Sequence, residues 1–140
     1  MGYRSEVSYV IRFESKEVMD TFIGVQLVKK DKHTTDALKE LAIVEGTDPV
    51  IFFHADDVKW YDGYPDVKAH MDLIDDAVEN YKADALFLRC GEDADDLEEE
   101  AYGEDGVDLY DYISVNRPSI CIDTGNTKPI LNENNELQES

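Results

Sequence analysis

The sequence predicts an α+β fold, a two-layer sandwich in which helices pack on one face of a mostly antiparallel sheet. Apolar and polar residues alternate over residues 5–14, which is the period of a half-buried strand. Over residues 66–81 apolar residues recur every three or four positions, which is the period of an amphipathic helix. Strand-like and helix-like segments follow in the order β-α-α-β-α-β-β-β, and this order favours helices segregated to one face of the sheet.

The chain of 140 residues is long enough to bury a core, and its hydrophobic share of 42% is too high for a wholly disordered chain. We expect a single globular domain over residues 1–125. From residue 126 on, the sequence is polar and rich in Asn and Glu, so we expect a C-terminal tail over residues 126–140.

The first half of the chain predicts a strand, two helices and a second strand. After the first strand, Ser15 is a suitable N-cap, and helical spacing of apolar residues follows it. A second, short helix is expected to begin at Thr34 or Thr35 and to end at Gly46. Residues 49–54 (PVIFFH) form a continuous apolar run, which is typical of a central strand buried on both faces.

The second half predicts the long helix over residues 66–81 and then strands only. A tight turn is expected at residues 116–118, between the last two strands. The segment LEEEAY predicts an edge strand whose acids face water. The three strands of the predicted order lie at residues 85–90, 109–115 and 119–122, and residues 97–102 are an additional candidate.

The two cysteines, Cys90 and Cys121, each lie in an apolar run, ALFLRC and SICID, where a small buried thiol is common. Neither has a second cysteine or a histidine at the spacing of a metal site. We therefore predict that both are core residues and that they form no disulfide bond.

The net charge of −20 lies almost wholly in the later part of the chain. Residues 1–45 hold 8 acidic and 7 basic side chains, whereas residues 46–140 hold 25 and 6. Such a surface repels the phosphates of nucleic acid and the headgroups of anionic membranes. It attracts divalent cations and basic protein surfaces. We therefore expect neither nucleic acid nor a membrane as a partner.

The cellular location is predicted from two features of the sequence. No apolar run is long enough to span a bilayer. The opening MGYRSEVSYV lacks the basic and apolar regions of a secretory signal. We therefore expect a cytoplasmic protein.

Residues 91–111 (GEDADDLEEEAYGEDGVDLYD) hold eleven carboxylates and no lysine or arginine. A hairpin with a solvated, charged edge strand explains the run as structure. It does not explain the absence of lysine, since ordinary surfaces mix both signs and like charges this close cost stability. A surface that presents carboxylates and tyrosine hydroxyls to a basic partner, in imitation of nucleic acid, explains both the run of acids and the absence of lysine.

Two metal-dependent functions remain as alternatives. The first is a divalent-cation site with Asp93 and Asp95 as candidate ligands, although the segment lacks the central glycine of a calcium loop. The second is a phosphohydrolase in which Asp56 and Asp57, after a buried strand, would hold a metal beside His54. Adjacent aspartates point to opposite sides of an extended chain, and no phosphate-binding loop is nearby, so we favour an enzyme less.

The segment KWYDGYPD places Trp60, Tyr61 and Tyr64 around one turn. Exposed aromatic residues on a turn are typical of interface hot spots, so Trp60 and Tyr61 are candidate binding residues. The packing alternative, which we favour, is that Trp60 closes one end of the core while Tyr61 or Tyr64 fastens the next helix. His70, beside the apolar stripe of that helix, is likewise expected to be a packed structural residue.

The opening MGYRSEV, the middle KWYDGYPDV and the later LFLRCGEDADDLE resemble segments of a family of small acidic proteins found in bacteria and their phages. Members of that family share an M-G-Y-R-S-E-V start, a W-Y-x-x-Y-P-x-V turn and an R-I-G-E-D-x-D-D-I-E segment. The match covers scattered blocks of residues 1–100, and the chain departs from it at Cys90, where the family has isoleucine. The resemblance implies no established activity and no functional residues, but it favours an accessory protein of a phage or mobile element that binds a host protein.

These observations together predict a protein-binding module, an inhibitor or decoy that uses its acidic half against a basic, nucleic-acid-binding surface of a host protein. We predict no catalytic residues and no cofactor, with a divalent cation as the alternative. An exposed strand edge leaves a homodimer open. The candidate contact residues are the hairpin acids, the acids of the long helix and two aromatic residues: Asp93, Asp95, Asp96, Glu98, Glu99, Glu100, Asp72, Asp75, Asp76, Glu79, Trp60 and Tyr61.

Overall fold

The chain folds around a six-stranded antiparallel sheet with three α-helices on one of its faces, which confirms the predicted α+β class. The structure is a computed structural model and describes residues 3–46, 48–93, 95–116 and 119–131. None of the helices in these ranges has the length and apolar character that crossing a bilayer requires.

The described elements fall into a large sheet, a small hairpin and the helices. In chain order the elements are β1 (Ser5–Arg12), α1 (Lys16–Val28), α2 (Lys32–Lys39), β2 (Ala42–Val44), β3 (Val50–Val58), α3 (Pro65–Tyr81), β4 (Asp84–Gly91), β5 (Leu97–Tyr102), a 3-10 helix (Gly106–Asp111), β6 (Ile113–Asn116), β7 (Ser119–Ile122) and β8 (Thr127–Pro129). The large sheet has the strand order β5-β4-β1-β3-β2-β8, so β5 and β8 are its two edges, and β6 pairs with β7 in a separate hairpin.

β1 lies between β4 and β3 and is buried on both faces, rather than half-buried as its alternation predicted, because Ser8 and Val10 are buried on the face opposite Tyr9. Tyr9 and Ile11 face the helices and Val10 faces the opposite side, and all three are fully buried. Tyr9 is paired with Phe53 of β3 on one side and with Phe87 of β4 on the other. These aromatic residues form the floor on which the helices pack.

The helices cover the face of the sheet that carries Tyr9. α1 begins after Ser15, as predicted, and the Ser15 hydroxyl accepts a hydrogen bond from the Val18 N–H at 3.2 Å. α3 begins at Pro65, whose fixed backbone angle suits the first turn of a helix, and it ends before Lys82. The spacing predicted an apolar stripe of Val67, Met71, Ile74, Val78 and Tyr81, but Met71, Val78 and Tyr81 are only partly buried. The buried residues of α3 are Val67, Ala69, His70, Leu73, Ile74 and Ala77.

The opposite face of the sheet is covered only in part. The 3-10 helix buries Leu109 there, and the β6–β7 hairpin buries Ile113 and Ile120. These side chains meet Leu86 and Leu88 of β4. The fold therefore has one full layer of helices and a smaller second cover on the other face.

The second helix begins earlier than predicted. Its N-cap is Asp31 rather than Thr34 or Thr35, and the Asp31 carboxylate accepts a hydrogen bond from the Thr34 N–H at 3.0 Å. Hydrogen bonds from the Thr34 hydroxyl and N–H hold the pKa of Asp31 below its ordinary value. A carboxylate suits this position because it also meets the positive end of the helix dipole.

The second helix also ends earlier than predicted, at Lys39 rather than at Gly46. Leu41 is drawn into the core, and the residues after it form the short strand β2 between β3 and β8. A strand of three residues is too short to show a period, so the sequence pattern did not reveal it.

Residues 109–115, predicted as one strand, divide between the 3-10 helix and β6. The helical turn persists because Leu109 is held in the core, and the Tyr112 N–H donates to the Leu109 carbonyl oxygen at 2.9 Å. The turn predicted at residues 116–118 includes Arg117 and Pro118, which lie outside the described residues.

The two cysteines differ in their environment. Cys90 is buried, as predicted, but Cys121 is exposed, so the prediction of a core residue was wrong there. Side chains alternate along a strand, and on β7 it is Ile120 that points into the core.

Residues 127–131, which fall in the segment expected to be a C-terminal tail, pair or pack with the fold. β8 pairs with β2, and the Ile130 and Leu131 that follow it are buried. The short apolar run after Lys128 is the reason, because it gives an otherwise polar segment two side chains to bury. Residues 132–140 lie outside the described residues.

Candidate functional site

β5 is a charged edge strand, as LEEEAY predicted, and its side chains alternate between the two faces of the sheet. Among the described strands it pairs with β4 alone, with Glu100 opposite Phe87. Phe87 belongs to the core on the helix side. The helix side of β5 therefore carries Glu98, Glu100 and Tyr102. Glu99 lies on the opposite side.

α3 carries three acids on one surface, because Asp72, Asp75 and Glu79 recur at spacings of three and four residues. The pKa of Asp75 is raised from its ordinary 3.8, first because partial burial disfavours the charged form, and then because Glu79, Asp72 and Glu100 carry like charges nearby. α3 packs on the same side of the sheet as that on which Glu98 and Glu100 of β5 lie. We call this set the acidic face: Asp72, Asp75, Glu79, Glu98 and Glu100.

Tyr102 lies partly buried beside the acidic face. Its hydroxyl donates to Glu100 Oε2 at 2.6 Å. Partial burial raises the pKa of Tyr102 far above its ordinary value, and the hydrogen bond to Glu100 and the charges of Asp75 and Glu98 raise it further. The hydroxyl therefore remains protonated and acts as a neutral donor among the carboxylates.

The acidic face has few compensating cations. Lys68 pairs with Asp72 at 2.8 Å, and Arg89 pairs with Glu98 at 2.7 Å. In the part of the chain that the structure describes, no ion pair reaches the other three acids of this face: Asp75, Glu79 and Glu100.

Arg89 joins the start of β5 to the body of the fold. Its Nη1 and Nη2 donate to the two carboxylate oxygens of Asp96 at 3.1 and 2.5 Å. The Tyr3 hydroxyl also donates to Asp96, at 2.7 Å, and Arg89 Nη1 donates to the Ser5 hydroxyl at 3.0 Å. Asp96 thus serves the fold. The sequence did not predict this role, because only the folded chain brings Tyr3 and Arg89 to the same carboxylate.

The turn before β5 leaves Asp93 and Asp95 exposed. It is closed by the Gly91 N–H, which donates to the Asp96 carbonyl oxygen at 2.8 Å. The Asp93 N–H donates to the Tyr3 hydroxyl at 2.9 Å. A Cβ at Gly91 would collide with the Asp96 carboxylate and the Tyr3 hydroxyl, so a larger residue there would displace the ends of these two side chains.

Besides Asp93, Asp95 and Asp96 of the turn, two more of the predicted contact acids lie away from the acidic face. Asp76 turns toward α1, where it accepts a hydrogen bond from Gln26 Nε2 at 2.6 Å and lies 3.9 Å from Lys29 Nζ. Glu99 accepts a hydrogen bond from the Tyr110 hydroxyl at 3.0 Å, on the other side of the sheet. The sequence groups these acids with their neighbours along the chain, whereas the periods of helix and strand separate them.

Trp60 closes one end of the helix-side core, as predicted. Its ring centroid lies 5.6 Å from that of His70 and 6.2 Å from that of Phe87. Tyr61 is fastened to the N-terminal segment, because its hydroxyl accepts from the Tyr3 N–H at 2.6 Å and donates to the Tyr3 carbonyl oxygen at 3.1 Å. Both residues therefore have structural roles.

A pocket of about 310 Å³ opens beside these aromatic residues. Trp60 and Tyr61 line one side of it, and Met71 of α3 lines another. Arg89 of β4 and Glu98 of β5 complete its polar part. The pocket therefore adjoins the acidic face through Glu98.

His70 is a packed structural residue, as predicted. It is buried, its Nδ1 is hydrogen-bonded to the Tyr9 hydroxyl at 2.7 Å, and its Nε2 lies 3.4 Å from Glu40 Oε1. Burial raises the pKa of Tyr9 well above its ordinary value, so its hydroxyl keeps its proton in this hydrogen bond.

Of the candidate phosphohydrolase residues, Asp56 and Asp57 line one pocket with Glu6, whose carboxylate also meets His54. β3 runs further than expected, so Asp56 and Asp57 lie within the strand rather than after it. His54 Nε2 pairs with Glu6 at 2.7 Å, and the other oxygen of Glu6 accepts a hydrogen bond from the Ile120 N–H at 2.8 Å. The described residues include no group of three or more His, Cys, Asp or Glu side chains placed to hold a metal ion.

Comparisons of the chain with protein-family models, with curated proteins and with solved structures found no significant match. The features of the molecule that bear on its function are the acidic face, the adjoining pocket and the charge of the chain.

Proposed function

We propose that the protein is an acidic protein-binding module, and that its acidic face binds a basic surface of a partner protein. The observation that carries the proposal is the convergence of carboxylates from two separate elements. Glu100 of β5 lies on the side of the sheet that the helices cover, and its charge is the last of the causes that raise the pKa of Asp75 of α3. Neither has an ion pair among the described residues.

The energetics of the acidic face support a role in binding. Like charges held close together destabilise the folded state, and a lysine interspersed among them would remove that cost. A basic partner supplies the missing cations when it binds. Since the screening length at physiological ionic strength is about 8 Å, each carboxylate acts mainly on groups at contact distance. Affinity should then arise from several ion pairs and should fall as salt is added.

The partner surface that best fits this face is one that binds nucleic acid. Such surfaces carry lysine and arginine spaced to meet phosphates. Carboxylates on α3 and β5 offer a comparable set of oxygen acceptors, and the Tyr102 hydroxyl stands among them as a donor. The protein would then act as an inhibitor or decoy of a host protein, which agrees with the resemblance to proteins of bacteria and their phages.

The test compares three purified forms as bait in a bacterial cell extract. They are the wild type, Glu79→Lys/Glu100→Lys in the acidic face, and Glu17→Lys/Glu45→Lys as the control. The control makes the same change in net charge near the opposite edge, where α1 and the residues after β2 line one pocket. The captured protein is then purified and its Kd for each form is measured.

We expect the wild type and the control to bind the same basic protein. We expect the acidic-face variant to bind it at least ~10-fold more weakly, which corresponds to about 1.4 kcal/mol. Added salt should weaken the wild-type complex steeply. If the acidic-face variant binds as well as the wild type, the acidic face is not the contact.

A further inference from the structure

We infer that β5 accepts an extended, basic segment of the partner as an additional strand of the sheet. The basic side chains of that segment would lie on the helix side of β5, and its apolar side chains on the other side. This inference rests on the proposed function and specifies how the acidic face is used.

The backbone of β5 supplies the first part of the site. β5 (Leu97–Tyr102) pairs with β4 on one side and has no strand on its other side in the described part of the chain. An edge strand presents a row of N–H and C=O groups that an incoming strand can pair with. Extended peptides bind such edges through main-chain hydrogen bonds, and pockets for alternate side chains give specificity.

The helix side of β5 fits basic side chains. An incoming residue opposite Glu98 or Glu100 would have its Cβ about 5 Å from that of the glutamate, so a lysine or arginine could pair with the carboxylate. Glu98 also borders the pocket lined by Trp60 and Tyr61. A cation beside these rings gains from the negative potential of their faces.

The other side of β5 fits apolar side chains. Leu97 is 37% exposed there, on the same face as Glu99. Glu99 is hydrogen-bonded to Tyr110 of the 3-10 helix, which is 39% exposed, and Val107 of that helix is 63% exposed. Residues three apart eclipse in a 3-10 helix, so Val107 and Tyr110 protrude on one side. An added strand would cover part of this apolar surface.

The glutamates of β5 favour a basic segment over a second copy of the chain as the added strand. Two β5 strands paired edge to edge would align the Glu98–Glu100 run of one copy with that of the other. Like charges directly opposite each other destabilise a strand pair. A lysine- or arginine-containing segment turns the same repulsion into attraction, so we assign the edge to the partner and expect the free protein to be a monomer.

The experiment uses a short probe peptide in which arginine alternates with valine. Two further peptides of identical charge carry N-methyl groups on one or the other alternating set of residues. In a paired strand one set of N–H groups faces the sheet and the other faces solvent. Binding is followed by the fluorescence of Trp60, the single tryptophan of the chain and a wall of the pocket.

We expect the unmodified peptide and one N-methylated peptide to bind and to change the Trp60 emission. The other N-methylated peptide should bind at least ~10-fold more weakly, since its methyl groups block the main-chain hydrogen bonds. Sedimentation of the protein alone should show a monomer.

Equal binding of all three peptides would overturn strand addition, because charge alone would then explain the affinity. The proposed function would stand in that case if Glu79→Lys/Glu100→Lys still abolished binding of the captured partner. Failure of the unmodified peptide to bind would also overturn the inference, as would self-association through the edge. The proposed function would be overturned separately, by a captured partner that does not distinguish the acidic-face variant from the wild type.

Discussion

Arg89 holds both carboxylate oxygens of Asp96, at 2.5 and 3.1 Å, and the same guanidinium reaches Glu98 at 2.7 Å. One cation therefore fixes the turn before β5 and the first carboxylate of that strand. The side chain of Arg89 is only 12% exposed, so this clamp is part of the fold rather than a surface pair. It positions the edge strand on which the proposed function depends.

Removal of this clamp should destabilise the protein. For Arg89→Ala we expect the free energy of unfolding to fall by about 1.5–3 kcal/mol, because Asp96 and Glu98 lose hydrogen bonds to a charged group. The Arg89→Lys variant should be less stable than the wild type and more stable than Arg89→Ala, since an ammonium cannot hold both oxygens of Asp96 at once. Urea denaturation measures the change.

The control for the clamp is Lys68→Ala, which removes an exposed pair with Asp72. Exposed pairs contribute little, so its effect should stay below about 1 kcal/mol. An Arg89→Ala protein as stable as the Lys68→Ala protein would show that the clamp contributes nothing beyond a surface ion pair.

Two glycines should respond in opposite directions to alanine. Gly91→Ala forces a methyl group onto Asp96 and Tyr3 and should lower the free energy of unfolding by about 1–3 kcal/mol. Gly24 lies within α1, where an added Cβ meets nothing within 4 Å. Gly24→Ala should therefore raise it by about 0.5–1 kcal/mol. Thermal melts of the two variants measure both changes. A Gly91→Ala protein as stable as the wild type would contradict the expected collision with Asp96 and Tyr3.

The negative charge of Asp75 should lower the free energy of unfolding at neutral pH. Its folded pKa lies above the ordinary 3.8, so the fold disfavours its charged form above that pH. Asp75→Asn should raise the free energy of unfolding at neutral pH by about 0.2–0.5 kcal/mol. The gain should disappear below pH 3.8, where the carboxyl is protonated in both states.

The matched control for Asp75 is Asp36→Asn, because Asp36 lies 3.8 Å from Lys39 and has an opposite charge to meet. Urea titrations of both variants, at neutral pH and below pH 3.8, separate the two cases. A loss of stability in Asp75→Asn at neutral pH would mean that Asp75 is favourably paired, contrary to the acidic face as described.

Divalent cations should stabilise the protein only as general salt does. At matched ionic strength, we expect calcium, magnesium and sodium chloride to raise Tm alike, by screening the repulsion among the acids. A specific site occupied at a hundred times its Kd would add about 3 kcal/mol instead. A Tm far above the sodium control with either divalent ion would favour the cation-binding alternative.

The strongly periodic parts of the fold could be predicted from the sequence. β1 and α3 carry their periods over enough residues for the elements themselves to be recognised, although β1 is buried on both faces and the buried residues of α3 differ in part from the predicted stripe. β2 and β8, with three residues each, show no period, and tertiary pairing alone reveals them. The N-cap at Asp31 was missed because two threonines nearby have nearly the same preference.

The candidate site could be predicted in composition but not in geometry. The run of acids at Glu98, Glu99 and Glu100 reads as one patch along the chain, yet the strand divides it between two faces. Arg89 and Tyr3 are far apart in sequence and gave no signal of their shared role at Asp96. The meeting of Asp75 with Glu100 depends on how α3 packs over the sheet, which no local pattern encodes.

The most direct test of the proposed decoy is competition for the captured partner. Duplex DNA is bound to that partner, and the wild type, Glu79→Lys/Glu100→Lys or Glu17→Lys/Glu45→Lys is titrated in while the fraction of bound DNA is followed. We predict that the wild type and the control displace the DNA at similar concentrations and that the acidic-face variant does not. Displacement by the acidic-face variant at the wild-type concentration would contradict it.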